Sequence, residues 1–455
     1  MGLTAAGIGS GLDVESLISQ MVTLQKSPLK ALQTTASSLD TKISAYGKLK
    51  SLMSTLSDTA TTLAKAETWK TTTAASSNTA VTVAVTDATA LAGSSEVSVE
   101  ALARGHSQAS KLMAEDAKFG GLLQLKIGGV TTDITVEPDS SMKDVVAAIN
   151  AKNAGVVASV MTNADGQQRL VLRSKDTGTN TAFSVTAAGD ENLNALASTA
   201  SGTVVQAAQN ARIVVNGITV ESATNDFKSV LPGLNITVSQ VTTSAANVTV
   251  KTDTEGLTKS VQSFMDAYNA LNDLLATSTK YDSESQTAGT LQGDSTAVNM
   301  ANSLRAAVSG TVNGIGGVNR LAELGIQIAK GGKMSFGTST TDKAKLEKAL
   351  SDPASLNAVF ASVGTEGQSD TQGLAVRMKT LTQSMLEFEG TFDTKNSSLT
   401  ALKKSNTKAQ DRVNDQATAF EARMRAQYTA LDTKMASLSS LSAYMTQQVS
   451  QWNNS

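Results

Sequence analysis

Phe420-Glu-Ala-Arg-Met424-Arg-Ala-Gln-Tyr428-Thr-Ala-Leu431-Asp-Thr-Lys-Met435-Ala-Ser-Leu438-Ser-Ser-Leu-Ser-Ala-Tyr-Met445-Thr-Gln-Gln-Val449-Ser-Gln-Trp452 is the stretch that decides how this chain is read. Met424, Leu431, Leu438, Met445 and Trp452 fall seven apart, and Phe420, Tyr428, Met435 and Val449 form a second row between them. A seven-residue apolar repeat makes a stripe on one face of a helix, and that stripe must bury itself against another helix. Leu399, Leu402 and Val413 carry the stripe upstream, and neither proline nor glycine interrupts the run from Asn396 to Trp452. At 1.5 Å per residue the predicted helix is roughly 80 Å long, more than one globular domain needs. A rod of that kind holds an assembly together rather than a reaction.

The other end of the chain offers a partner. Leu32, Leu39, Tyr46 and Met53 repeat in one row, and Leu49, Leu56 and Leu63 in another. Two striped ends separated by a long middle predict an antiparallel pair, either as a free rod or as members of a bundle, with further domains inserted between them. The candidate partner-binding seam is Leu32, Leu39, Tyr46, Met53, Phe420, Met424, Leu431, Leu438, Met445 and Trp452.

Composition narrows the function. At 455 residues the chain exceeds a single core, so two to four domains are expected. Hydrophobic content is 40% but aromatics only 4%, so the cores must be built from small aliphatic side chains. A net charge of −2 gives no electrostatic case for nucleic acid or an anionic membrane. With no cysteine and one histidine, thiolate sites, disulfides and multi-histidine metal sites are excluded, and no cofactor is expected. His106 sits among small polar residues with no carboxylate to orient it, so no catalytic site is assigned to it. No 18-residue apolar run spans a bilayer, and the N-terminus lacks a secretory pattern. On signals alone the chain reads as cytoplasmic.

In chain order the texture changes twice. Gly7-Ile-Gly-Ser-Gly11 lacks the lysine and preceding strand of a phosphate loop and reads as a mobile terminus. Asp13 is a candidate N-cap, and Pro28 ends or kinks the first helix. From Thr79-Ala-Val-Thr-Val-Ala-Val-Thr86 to about Asp253 the pattern is strand-like. Gly128-Gly129, Asn163-Ala-Asp-Gly166 and Asn216-Gly217 are turn signals, the last suited to a type I′ hairpin. One helix interrupts at Ser141–Asn150, with Asp144 three residues after its cap. Helices return after Gly256, with Gly310–Gly317 a structural loop and Gly390 a break before the last helix. The predicted fold is α+β and multidomain: N- and C-terminal helices form a coiled-coil or helical-bundle leg with β-rich head domains inserted. Its divisions are residues 1–40 with 420–455 as terminal coiled-coil segments, mobile until docked; 41–70 with 256–419 as a helical bundle; 71–112 with 205–255 as a β-rich domain; and 113–204 as a β-rich domain with one helix. The chain ends are expected at one pole and the β domains at the other.

The opening Gly7–Met21, with Ser27-Pro28-Leu29, resembles the N-terminal signature of the bacterial flagellar filament cap family, also called flagellar hook-associated protein 2. Phe264-Met-Asp-Ala-Tyr-Asn269, Tyr281-Asp282, Leu291-Gln-Gly-Asp-Ser295, Leu324-Gly-Ile-Gln-Ile328, Gly332-Lys-Met-Ser-Phe336, Asp352-Pro353 and Val359-Phe360 are similar to its C-terminal domain. Leu123–Val136 resembles a β-rich motif of flagellar hook and filament proteins. The resemblance implies a structural cap at the distal filament tip, not an enzyme. It implies a homo-oligomeric ring of about four to six copies, with legs on the filament end and β domains as a plate. Flagellin would fold and insert beneath that plate without leaking away. The implied partners are flagellin and the filament end, other hook-associated proteins and an export chaperone. Export by the flagellar type III apparatus makes the expected location extracellular, and zero cysteine fits such a route. Two other readings stay open: a secreted adhesin-like module whose β domains bind host glycans, and a hook–filament junction protein. A glycan hydrolase with paired carboxylates would need a cleft that the sequence does not show.

Overall fold

A computed structural model describes residues 13–197, 203–284, 286–312, 320–365 and 368–453. The chain divides into two compact units: residues 1–68 with 258–455, and residues 69–257. Gly7–Gly11 and most of the Gly310–Gly317 loop lie outside the described residues.

The first unit opens with α1 (Val14–Gln25) and α2 (Pro28–Leu63). Asp13 caps α1 by accepting from the Ser16 backbone N–H, as expected of an aspartate at that position. Pro28 starts α2 at its first turn, where a missing N–H costs nothing.

The second unit follows with β1 (Thr72–Ser76), β2 (Val81–Val85), β3 (Gly93–Ala101), β4 (Ser107–Ala109), β5 (Phe119–Ile127) and β6 (Val130–Ser140). Then come α3 (Met142–Ala151), β7 (Val156–Thr162), β8 (Gln168–Ser174), β9 (Phe183–Gly189) and α4 (Glu191–Leu196). It closes with β10 (Thr203–Gln206), β11 (Ala211–Val215), β12 (Ile218–Ser222), β13 (Asp226–Lys228), β14 (Leu234–Val238) and β15 (Ala246–Thr252). The sheet β1-β15-β3-β11-β12 and the sheet β13-β14-β2 share a core of Val97, Val99, Ile213, Val248, Phe227, Ile236 and Val81. Alternation in each strand sends those residues inward and intervening residues such as Thr82, Glu96, Glu100 and Arg212 outward. Asn216 (φ 49°) and Gly217 (φ 84°) close the β11–β12 hairpin with Val215 opposite Ile218, the positive φ pair that a type I′ turn requires.

A separate core of Phe119, Leu123, Leu125, Ile134, Val145, Ile149, Leu170 and Leu172 lies among the sheets β6-β5-β9 and β10-β4-β8-β7 and the helix α3. Ser141 and Asp144 form a reciprocal capping box on α3. The β10-β4-β8-β7 sheet pairs residues 107–109 with 203–206 on one side and with 171–173 on the other. Short strands with little periodicity gave no signal for that pairing.

The first unit resumes with α5 (Thr254–Thr279), the ribbon β16 (Tyr281–Asp282) and β17 (Thr287–Ala288), and α6 (Ser295–Ser309). After them come the ribbon β18 (Ile326–Ile328) and β19 (Met334–Phe336), then α7 (Thr340–Ser351), α8 (Pro353–Ala361), α9 (Leu374–Leu386) and α10 (Thr391–Asn453). α10 has 63 residues, about 95 Å at 1.5 Å each. α2 packs against both α9 and α10, and α9 also against α6 and α8. Leu49, Met53, Leu56, Leu63, Phe264, Tyr268, Leu304, Phe360 and Met378 are buried in this unit. The architecture is the expected α+β multidomain one, with paired terminal helices and inserted β-rich parts.

Candidate assembly surface

Ion pairs fix how the terminal helices run. Lys50 meets Asp393 at 2.9 Å, and Asp40 meets Lys403 at 2.5 Å. Ten residues back along α2 is therefore ten residues forward along α10: the pair is antiparallel and in steady register. At its upper end the contact becomes a buried cluster. The Tyr46 hydroxyl donates to Asp294 at 2.8 Å, and Lys395 reaches the other Asp294 oxygen at 2.8 Å. Asp294 also caps α6 by accepting from Thr296 and Ala297 N–H groups. Lys395 lies 5.6 Å above the Tyr46 ring, and Phe392 packs edge-on to that ring. Burial pushes the Tyr46 hydroxyl up, and donation to a carboxylate pushes it further.

At its lower end α1 takes over from α2 along α10. Val14 and Ile18 are buried there. Arg425 grips Glu15 with both terminal nitrogens, at 2.7 and 2.5 Å, and its Nε donates to Glu421 at 3.0 Å. The fork holds the Glu15 carboxyl below its usual range.

Beyond Arg425 the stripe of α10 meets no partner helix among the described residues. Leu431 is 44% exposed, Leu438 59% and Met445 59%, so the face that repeats every seven residues is the face left in water. Met435, Leu441, Tyr444 and Val449 are exposed with them. The last charged residue is Lys434, and Met435 to Ser455 carries none. Contiguous exposed apolar surface is a common feature of protein–protein contacts.

The seam expected from sequence therefore separates into two surfaces. Leu39, Tyr46 and Met53 are buried inside the helical unit. Leu32, Phe420 and Met424 are half-buried. Leu431, Leu438 and Met445 are free, and the Trp452 side chain lies outside the described residues. Leu402, read as part of the stripe, points to solvent instead, while Ala417 is fully buried. Asp294 and Lys395 escaped the sequence reading. The Asp-Ser-Thr start of α6 signals a cap, but nothing local signals a tyrosine 248 residues away.

His106 is buried against the Phe183 ring, 4.6 Å between centroids, and burial pushes its imidazole down. Among the described residues no carboxylate pairs with it. Among the described residues no three His, Cys, Asp or Glu side chains gather as metal ligands, and no helix is long and apolar enough to cross a membrane.

This chain pairs its terminal helices in antiparallel register and leaves Leu431, Leu438 and Met445 exposed on α10. Its family follows from comparison. The model for the flagellar hook-associated protein 2 C-terminus matches residues 208–440, that for its N-terminus residues 10–106, and the flagellin hook IN motif residues 123–176. The chain belongs to the flagellar hook-associated protein 2 family, the filament caps. It is 31% identical to flagellar hook-associated protein 2 of Escherichia coli strain K12, across 100% of this chain and 99% of that protein. The A-type flagellar hook-associated protein 2 of Pseudomonas aeruginosa is 28% identical across 98% and 97%. The crystal structure of the D1-D2-D3 domains of the Escherichia coli flagellar cap protein FliD is 29% identical, covers 78% of this chain and 99% of its own, and superposes with a TM-score of 0.62. These relatives bear the names of flagellar structural proteins, not of enzymes.

Proposed function

We propose that this chain caps the distal tip of a bacterial flagellar filament, outside the cell, and that the free stripe Leu431, Leu438 and Met445 is what seats it on the filament end. The exposure of that stripe carries the reading. Copies form a ring of about four to six through heterologous contacts. The ring holds arriving flagellin at the tip while it folds and inserts. Other hook-associated proteins and an export chaperone are its further partners. Two properties of the strip suit a cap that must release and step. Beyond Lys434 it lacks charge, so docking there is apolar and tolerates salt, unlike the screened ion pairs higher on α10. It also stands clear of the bundle core, so it can let go without unfolding the unit.

Truncation after Lys434 tests this more cleanly than removal of all of α10, because residues 391–425 supply the bundle and its ion pairs. The truncated chain is expected to remain folded and to sediment as the parent does, yet to fail to hold purified filament ends. Retention of filament ends equal to that of the parent would sink the reading.

A further inference from the structure

Strand edges in this fold are closed by asparagine side chains. Asn150, in the last turn of α3, donates Nδ2 to the Ala158 carbonyl at 2.9 Å and accepts from the Ala158 N–H at 2.8 Å. Asn194 makes the same pair of bonds with Gly189 on β9, at 2.9 and 3.3 Å. Asn269 makes it with Met334 on β19, at 2.7 and 2.8 Å. β7 and β9 are each the last strand of their sheet, and β19 is half of a two-stranded ribbon. A primary amide sets a donor and an acceptor side by side, as the next strand's backbone would. It therefore occupies the place of a neighbouring strand.

β7 is the edge where such a guard matters most. Val156-Val-Ala-Ser-Val-Met-Thr162 has no charge, proline or glycine and is rich in valine, the composition of a self-pairing segment. Nor does it carry a lysine, the usual protection of an open edge. Ser159 lies opposite Val171 of β8, and Met161 opposite Arg169. Ala158 turns its backbone groups to Asn150, so by alternation Val160 turns its own the same way, off the sheet. Val157 is 43% exposed and Met161 57%. If two β7 strands meet antiparallel about Ser159, Ala158 of one faces Val160 of the other in a hydrogen-bonded pair. Val157 then faces Met161, an apolar cross-strand pair made twice. The strand is complementary to itself.

We propose that the outer edge of β7 is a latent strand-pairing surface for a second copy of this chain, and that Asn150 keeps it closed. Copies then meet through other surfaces, and a two-fold β7–β7 dimer does not compete with them.

The full chain, Asn150→Ala, and Asn150→Ala with Met161→Lys are compared by amide hydrogen exchange and sedimentation over matched concentrations. Ser159 and Val171, which face each other inside the sheet, serve as the folding control and should stay protected in all three. In the parent the Ala158 amide should be protected equally at every concentration. In Asn150→Ala it should exchange about tenfold faster when dilute, the loss of one hydrogen bond, and regain protection when concentrated, together with a species twice the parent's mass. Adding Met161→Lys should abolish both the regained protection and that species. Fast Ala158 exchange at all concentrations with unchanged sedimentation would overturn the proposal, as would association that survives Met161→Lys. If Ser159 and Val171 lose protection in Asn150→Ala, the asparagine holds the sheet together rather than guarding its edge, and the proposal also fails.

Discussion

Asp294 serves three elements with one carboxylate: it caps α6, accepts from Tyr46 on α2 and pairs with Lys395 on α10. Burial alone would push its carboxyl up. Hydrogen bonds from Lys395 and Tyr46 and from the Ala297 backbone outweigh that and hold it below the usual range. Its charged form therefore stabilises the folded state. That contribution is complete above the unfolded value of about 3.9 and is lost as pH falls through the lowered folded value. Asp294→Asn retains a capping acceptor but no charge. It should cost about 2 kcal/mol at neutral pH, the scale of a hydrogen bond to a charged group, and the gap to the parent should narrow as pH falls below about 3.9. A urea midpoint difference that stays constant with pH would show that capping, not charge, matters there. His106 has the same sign in a different window. Its neutral form is favoured by burial, so the second unit should lose stability as pH drops below about 6.5. The chain has one histidine, and its imidazole Hε1 resonance should titrate below that value. A midpoint at or above it would contradict the buried placement.

At the scale of elements, the two halves of the heptad pattern should respond differently to the same change. Met53→Ala removes a side chain with no exposure and should cost about 2–5 kcal/mol. Leu431→Ala trims an exposed one and should stay within about 0.5 kcal/mol. Equal losses by thermal unfolding would mean that the stripe is already buried in the free chain. The sequence could not draw this line, because a seven-residue repeat shows that a face is apolar and not which neighbour covers it. Leu39 and Leu438 read alike until α2 and α9 are placed. What was legible had local causes: the Asp13 cap, Pro28 at the start of α2, the Ser141–Asp144 box, the Asn216-Gly217 turn and the long run of α10. What was not legible depends on distant neighbours. Asn150 in α3 looked like a helix-end residue and turned out to occupy a strand's place beside β7, and Asn269 does the same for β19.

At the scale of the whole molecule, the chain leaves the helical unit near Thr68, builds a second unit and returns near Thr258. Each unit buries its own core, so damage to the tip of α10 should not unfold the β-rich unit. That independence separates loss of docking from loss of folding. Leu438 and Ser439 are adjacent and both exposed, but only Leu438 lies on the stripe. If Leu438 is buried on docking, changing it to aspartate forfeits about 2–3 kcal/mol of apolar transfer and adds the cost of an unpaired carboxylate. The decisive measurement is the amount of monomeric flagellin in the culture medium of cells whose only cap carries Leu438→Asp or Ser439→Asp, with export of the cap itself checked in both. With Leu438→Asp, flagellin should accumulate in the medium and swimming should cease, while Ser439→Asp should match the parent. Equal behaviour of the two, or normal filaments with Leu438→Asp, would contradict docking through the stripe.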